Sequence, residues 1–179
     1  FINGTYKAVQ LPFGKFYIYE GMAYELDRIV HKQVNELSDI KDELRSTEYT
    51  VLRSLAKFIY PDIDTECYLV AASLSLSYLD SGSVFISFIE KIKAAIEGGI
   101  TKQEILVILK TETGAILISK LNDFNEAQDE IMEIFKKRKQ LYKAFSTITE
   151  EAKKGYLLRC KYPAFEIDFV ISGDYIKLP

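Results

Sequence analysis

Apolar residues along this chain recur mostly at three- and four-residue spacing, the period of an amphipathic helix. From about residue 22, Leu26, Val30, Leu37, Ile40 and Leu44 keep that alternation, with Gln33 filling one slot. Such a seam is coiled-coil-like, and a polar residue in it sets register. The pattern resumes through Val51, Leu55 and Phe58 and stops at Tyr60-Pro61, because proline disfavours helix at the residue before it. Ser46 and Thr47 offer a break, so one long helix and a helical hairpin both satisfy the spacing.

Asp64 is a candidate N-cap for a helix running to about Leu79. Its stretch 67–79 is apolar nearly all round, as a central buried helix would be. Asp80-Ser81-Gly82-Ser83 reads as a turn, and Phe85, Ile89, Ile92 and Ile96 as an amphipathic helix ended by Gly98-Gly99. Thr101 and Glu104 have the spacing of a capping box. The short helix they open should run through Ile108 and break at Gly114. A second segment over 115–121 gives a helix-turn-helix-like outline, but Ala115-Ile116-Leu117-Ile118 is too apolar to read base edges, which favours ordinary packing.

The longest expected helix spans about 123–154. Phe124, Ala127, Ile131, Ile134, Arg138, Leu141, Phe145 and Ile148 alternate at three and four, and Arg138 is its polar register residue. Gly155 suits its stop. Elsewhere the period is two. Segments 6–10 and 15–19 flank Pro12-Phe13-Gly14 as a hairpin, and 156–161, 165–171 and 175–178 read as strands. The expected fold is therefore mainly α: a multi-helix bundle over 1–155 that includes the N-terminal hairpin, with a small β segment over 156–179.

Composition changes this picture little. A 179-residue chain with 48% hydrophobic and 27% charged residues can bury a core without staples. Cys67 and Cys160 stand far apart, as free thiols of a reducing compartment do. No apolar run has the length of a bilayer span, so a cytoplasmic chain with no membrane partner is expected. The chain opens on Phe1 rather than Met, as a fragment or a trimmed chain does.

Charge distribution says more. Residues 20–66 hold eleven acidic and six basic side chains, whereas 131–161 hold three acidic and nine basic. Lys136, Lys139 and Lys143 share one face of the long helix, Lys137 flanks them, and Lys153, Lys154, Arg159 and Lys161 extend the charge. A basic surface of this kind binds phosphate backbones by releasing counterions. Tyr142, Tyr156 and Tyr162 lie among these cations, placed to stack on bases. The function expected is a non-catalytic helical subunit or adaptor of a nucleic-acid-associated assembly. A solvated face that balances the acidic front accounts for the same cations. A protein partner or a second copy is the other partner class, and an inhibitor-like module would use Glu36, Asp39, Asp42 and Glu43.

Glu166 and Asp168, two apart on an expected strand, would point to one face and could hold Mg²⁺. Phe165-Glu166-Ile167-Asp168-Phe169-Val170-Ile171 resembles the acidic core strand of restriction-endonuclease-like nucleases. That resemblance implies a metal-dependent nuclease or a fragment of one. It also implies a Glu-x-Lys element on the next strand, where this chain has Tyr175-Ile176-Lys177 and no carboxylate two before the lysine.

The acids of Pro61-Asp62-Ile63-Asp64-Thr65-Glu66 lack the glycine and distal glutamate of a calcium loop, so helix capping explains them better. His31 is the sole histidine, without ligands at zinc spacing. No nucleophile elbow, phosphate loop or dinucleotide fingerprint occurs, and no cofactor is implied.

Overall fold

A computed structural model describes residues 13–35 and 47–173. These form eight helices: α1 (Lys15–Asn35), α2 (Thr47–Ile59), α3 (Thr65–Ser75), α4 (Ser81–Glu97), α5 (Lys102–Ser119), α6 (Leu121–Phe135), α7 (Lys139–Lys161) and α8 (Phe165–Ser172). There is no strand among the described residues.

The core forms around α3. Every residue from Cys67 to Ser75 is buried. Asp64 caps it, accepting from the Cys67 amide at 2.9 Å. Around it pack α1, α4, α5 and α8. Full burial of Leu69, Val70 and Leu74 stabilises the fold by roughly 1.5–3 kcal/mol each. Lys102, first residue of α5, bridges Asp64 at 3.1 Å and Glu66 at 2.7 Å, joining the starts of α3 and α5.

The capping box forms as its spacing predicts: Thr101 Oγ1 accepts from the Glu104 amide, and Glu104 Oε2 accepts from the Thr101 amide at 2.9 Å. Asp80 caps α4 through the Ser83 amide, and Gly99 beyond the helix has φ 89°.

Four expectations are corrected. The 15–19 half of the N-terminal hairpin is the first turn of α1. Its Ile18, Gly21, Met22 and Glu25 line a buried helical stripe, which a strand could not offer; the 6–10 half lies outside the described residues. The region after α1 follows the hairpin alternative, with α2 antiparallel to α1 and Tyr24 against Tyr49 at 5.9 Å. Leu37, Ile40 and Leu44 lie outside the described residues. Gly114 does not end a helix: α5 runs through it, because the backbone and Pro163 of the α7–α8 corner pack where a side chain would stand.

The long helix expected over 123–154 reverses at residues 136–138, giving α6 and α7. Four successive cations, 136–139, crowd the break, and antiparallel aromatic pairs hold the two arms together. Residues 156–161 continue α7 past Gly155, and 165–171 fall in α8. A helix satisfies its own backbone, whereas a strand there would need a partner strand. Ile167, Val170 and Ile171 instead form an i, i+3, i+4 face, with Ile167 fully buried. The 156–179 β segment is therefore not seen; 175–178 lie outside the described residues. Ala164, at φ 61°, turns the chain from α7 into α8.

Two glycines in these helices have opposite surroundings. A Cβ on Gly21 would lie 2.5 Å from Leu52 Cβ, whereas one on Gly155 meets nothing within 4 Å. Gly21→Ala is expected to destabilise by about 1–3 kcal/mol through overpacking of α1 on α2. Gly155→Ala is expected to stabilise by about 0.5–1 kcal/mol, because alanine loses less backbone entropy in a helix. Urea unfolding of both variants reads the two signs directly.

Candidate nucleic-acid interface

The α6–α7 hairpin carries most of the cations expected to act. Neither helix contains a buried residue. What joins them is a short ladder: Phe124 stacks on Tyr156 at 4.2 Å, Gln128 Nε2 donates to the Thr149 carbonyl at 2.8 Å, and Phe135 stacks on Phe145 at 4.0 Å. The Tyr156 hydroxyl donates to the Leu117 carbonyl at 2.7 Å and ties α7 to α5.

The reversal is the most basic part of the hairpin. Lys136, Lys137, Arg138, Lys139 and Lys143 fall between Phe135 and Phe145, a stretch without a carboxylate. All five are exposed. Lys136 pairs with Glu133 at 3.0 Å, which raises the pKa of its ammonium. Among the described residues the other four have no ion-pair partner. Arg138 stands at the reversal, so it sets no register in a continuous seam. Lys136, Lys139 and Lys143 share no single helix face either, since Lys136 caps α6 and the other two belong to α7.

The remaining basic residues separate from this tip. Lys153 and Lys154 lie about 20 Å along α7 from Lys139 at 1.5 Å per residue. Lys154 pairs with Glu151 at 2.7 Å. Lys161 lies over the Tyr162 ring, 4.9 Å from its centroid. Arg159 is turned inward, its Nη2 donating to Glu166 Oε1 at 2.6 Å. Of the tyrosines, Tyr142 and Tyr162 are exposed, whereas Tyr156 is committed to the Phe124 stack.

Glu166 and Asp168 do not share a face, because α8 is a helix and residues two apart diverge. Glu166 also accepts from Ser73 Oγ of α3 at 2.6 Å, and Asp168 accepts from Lys110 Nζ of α5 at 2.6 Å. Each carboxylate is engaged in a clasp holding α8 to its neighbours. Among the described residues no three His, Cys, Asp or Glu side chains gather as a metal site, and no helix is long and apolar enough to cross a membrane. Glu36, Asp39, Asp42 and Glu43 lie outside the described residues.

The chain matches no family model, no curated protein and no solved structure.

Sequence reading missed Glu25, Arg28, Arg53, Lys57 and Tyr68, which line one cavity between α1, α2 and α3. The available signal was Glu25 itself. It follows Ile18 and Met22 and precedes Ile29 at helical spacing, a carboxylate in an apolar stripe.

Two outcomes separate structural from surface groups here. Arg159→Ala should lower stability by about 1–2 kcal/mol, because it strips a charge-assisted bond from a half-buried carboxylate. Lys139→Ala should leave stability within about 0.5 kcal/mol. Thermal melts compare the pair. Among the thiols, burial, with Asp64 beside it, pushes Cys67 up to about 12. Burial also raises Cys160, which is only half-buried. Iodoacetamide at neutral pH should therefore alkylate Cys160 first and reach Cys67 only on unfolding, as peptide mass mapping would show.

Proposed function

We propose that this chain is a non-catalytic helical subunit or adaptor of a nucleic-acid-associated assembly, and that the reversal of the α6–α7 hairpin is its phosphate contact. The observation that supports this reading is the tip: five cations without an intervening carboxylate, four of them lacking an ion-pair partner among the described residues. Cations so placed exchange condensed counterions for protein charge, which gives affinity without base readout. Tyr142, exposed between Lys139 and Lys143, adds a ring on which a base can stack. Arg159 leaves the expected contact set, because its charge is spent on Glu166.

A second reading rests on the exposed apolar residues of the same hairpin. Ile134 is 72% exposed and Ile148 59%, and Ile131 and Leu141 are also open. Such residues favour a protein partner or a second copy, with the basic tip facing an acidic surface.

Fluorescence anisotropy with labelled single- and double-stranded DNA and RNA, in a salt series, distinguishes the two. Under the first reading log K falls against log salt with a slope of about −2 to −4, the signature of a few phosphates neutralised. The triple change Lys137→Glu, Lys139→Glu, Lys143→Glu abolishes binding. Absence of binding at low salt would reject the nucleic-acid reading, and concentration-dependent self-association would then support the apolar one.

A further inference from the structure

Helices α6 and α7 contain no buried residue, yet each carries an apolar stripe left open. On α6 it is Ala127, Ile131 and Ile134. On α7 it is Leu141, Ala144, Ile148, Ala152 and Gly155, and all eight residues are exposed. The pairs Phe124–Tyr156, Gln128–Thr149 and Phe135–Phe145 mark the line along which each helix faces the other. At 3.6 residues per turn each stripe lies roughly 80° from that line, displaced in the same rotational sense. In an antiparallel pair, displacement in the same sense brings both stripes to one side. The hairpin therefore has one apolar face, with no charged side chain in either stripe. Lys139, Lys143, Lys153 and Lys154 are displaced in the opposite sense and lie across the hairpin from it.

The spacing of this face is self-complementary. Along α7 the stripe steps by three, four, four and three residues, the same read from either end, with Ile148 at its centre. The large Leu141 mirrors Gly155 about that centre, and the small Ala144 mirrors the small Ala152. Laid antiparallel on a second copy about a two-fold axis at Ile148, Leu141 falls on Gly155 of that copy. Met132 meets Thr149 across the hairpin, so their neighbours Ile131 and Ile148 are level. The same axis therefore passes Ile131 and sets Ile134 over Ala127 of the second copy. An unlike protein would require no such symmetry of this face, whereas a two-fold contact does.

Gly155 points the same way. It stands inside α7, where glycine is less favourable than alanine, and a Cβ on it would meet nothing within 4 Å. A leucine of a second copy seated there needs that space. Two faces two helices wide, spanning 141–155 on α7, bury on the order of 1,000 Å² between them, the threshold of a specific interface.

We propose that two copies of this chain pair through the apolar faces of their α6–α7 hairpins, antiparallel, as a four-helix bundle. This rests on the reading of the hairpin's exposed apolar residues as a contact surface, and it names the occupant. The basic reversals then lie at opposite ends of the bundle, and the lysines across each hairpin stay open.

Sedimentation equilibrium from about 1 to about 200 µM should show the chain passing from monomer to a species of twice its mass, with a midpoint in the micromolar range. Ile148→Glu sets two carboxylates against each other at the axis and should abolish association. It leaves the single chain folded, because Ile148 is 59% exposed. Gly155→Leu fills the seat of Leu141 and should weaken association at least about tenfold. Lys143→Glu, across the hairpin, should leave it unchanged. In a Cys160→Ser background, mild oxidation should couple Ile148→Cys chains to one another and leave Leu141→Cys chains uncoupled, because the two-fold holds residues 141 at opposite ends.

A chain that stays monomeric at about 200 µM overturns the proposal but not the contact surface, which keeps an unlike protein as its occupant. Association indifferent to both Ile148→Glu and Gly155→Leu overturns the proposal and the surface together. Coupling of Leu141→Cys as ready as that of Ile148→Cys overturns the antiparallel pairing.

Discussion

A helix that is apolar on every face must be covered on every face, and α3 makes that demand of the rest of this chain. No single neighbour can meet it. Four helices do so, two of them its successors in sequence and two, α1 and α8, from far along the chain on either side. The order of packing follows. Helices α4 and α5 come next in sequence and cover α3 locally, while α1 and α8 close over it from far away. The burial of Ile18 and Ile167, both complete, is the result of that closure.

The same burial decides where polar groups on α3 can go. Ser75 satisfies itself on the Ala72 carbonyl at 2.7 Å. Ser73 reaches Glu166 at 2.6 Å, and Arg159 joins the same oxygen, so one polar atom of the core recruits both the start of α8 and the end of α7. Tyr68 faces the other way, into the cavity beside Glu25. The three buried polar side chains of this core helix, Tyr68, Ser73 and Ser75, thus face different neighbours. Charges that look equivalent along the chain acquire different work from this. Arg159 closes the α7–α8 corner, whereas Lys139, on the same helix, faces solvent.

Local chemistry was legible in the sequence, and distant packing was not. The Asp64 cap and the Thr101–Glu104 box depend only on near neighbours, and each has the form its residues predict; the apolar stretch 67–79 is buried all round only as far as Ser75, where α3 ends. The β element failed because Phe165, Ile167, Phe169 and Ile171 alternate like a strand, yet α1 and α3 offer a helical groove and the described residues supply no partner strand. Gly114 reads as a breaker until Pro163 arrives beside it from across the fold. The break at 136–138 was hidden because three-four spacing continues through it: Ile134, Arg138 and Leu141 keep phase across a reversal. Of the candidate site, the tip cations were legible as charge but not as a tip. The cavity went unseen because its lining comes from four helices.

The hairpin shows what such an architecture permits. A helix pair without a buried residue gains little from hydrophobic burial, and its few stacked pairs contribute about 0.5–1.5 kcal/mol each. Its order must come from its base, where Tyr156 bonds α5 and the Arg159–Glu166 clasp holds the end of α7. Distance from that anchor then grades the hairpin. Near the base, side chains stack and bond with the core, and the last aromatic pair, Phe135–Phe145, flanks the reversal itself. Towards the reversal, they are exposed and carry charge of one sign. Four adjacent cations repel one another, which costs stability. Placing them where packing is thinnest keeps that cost away from α3, and a polyanion bound at the tip would remove it.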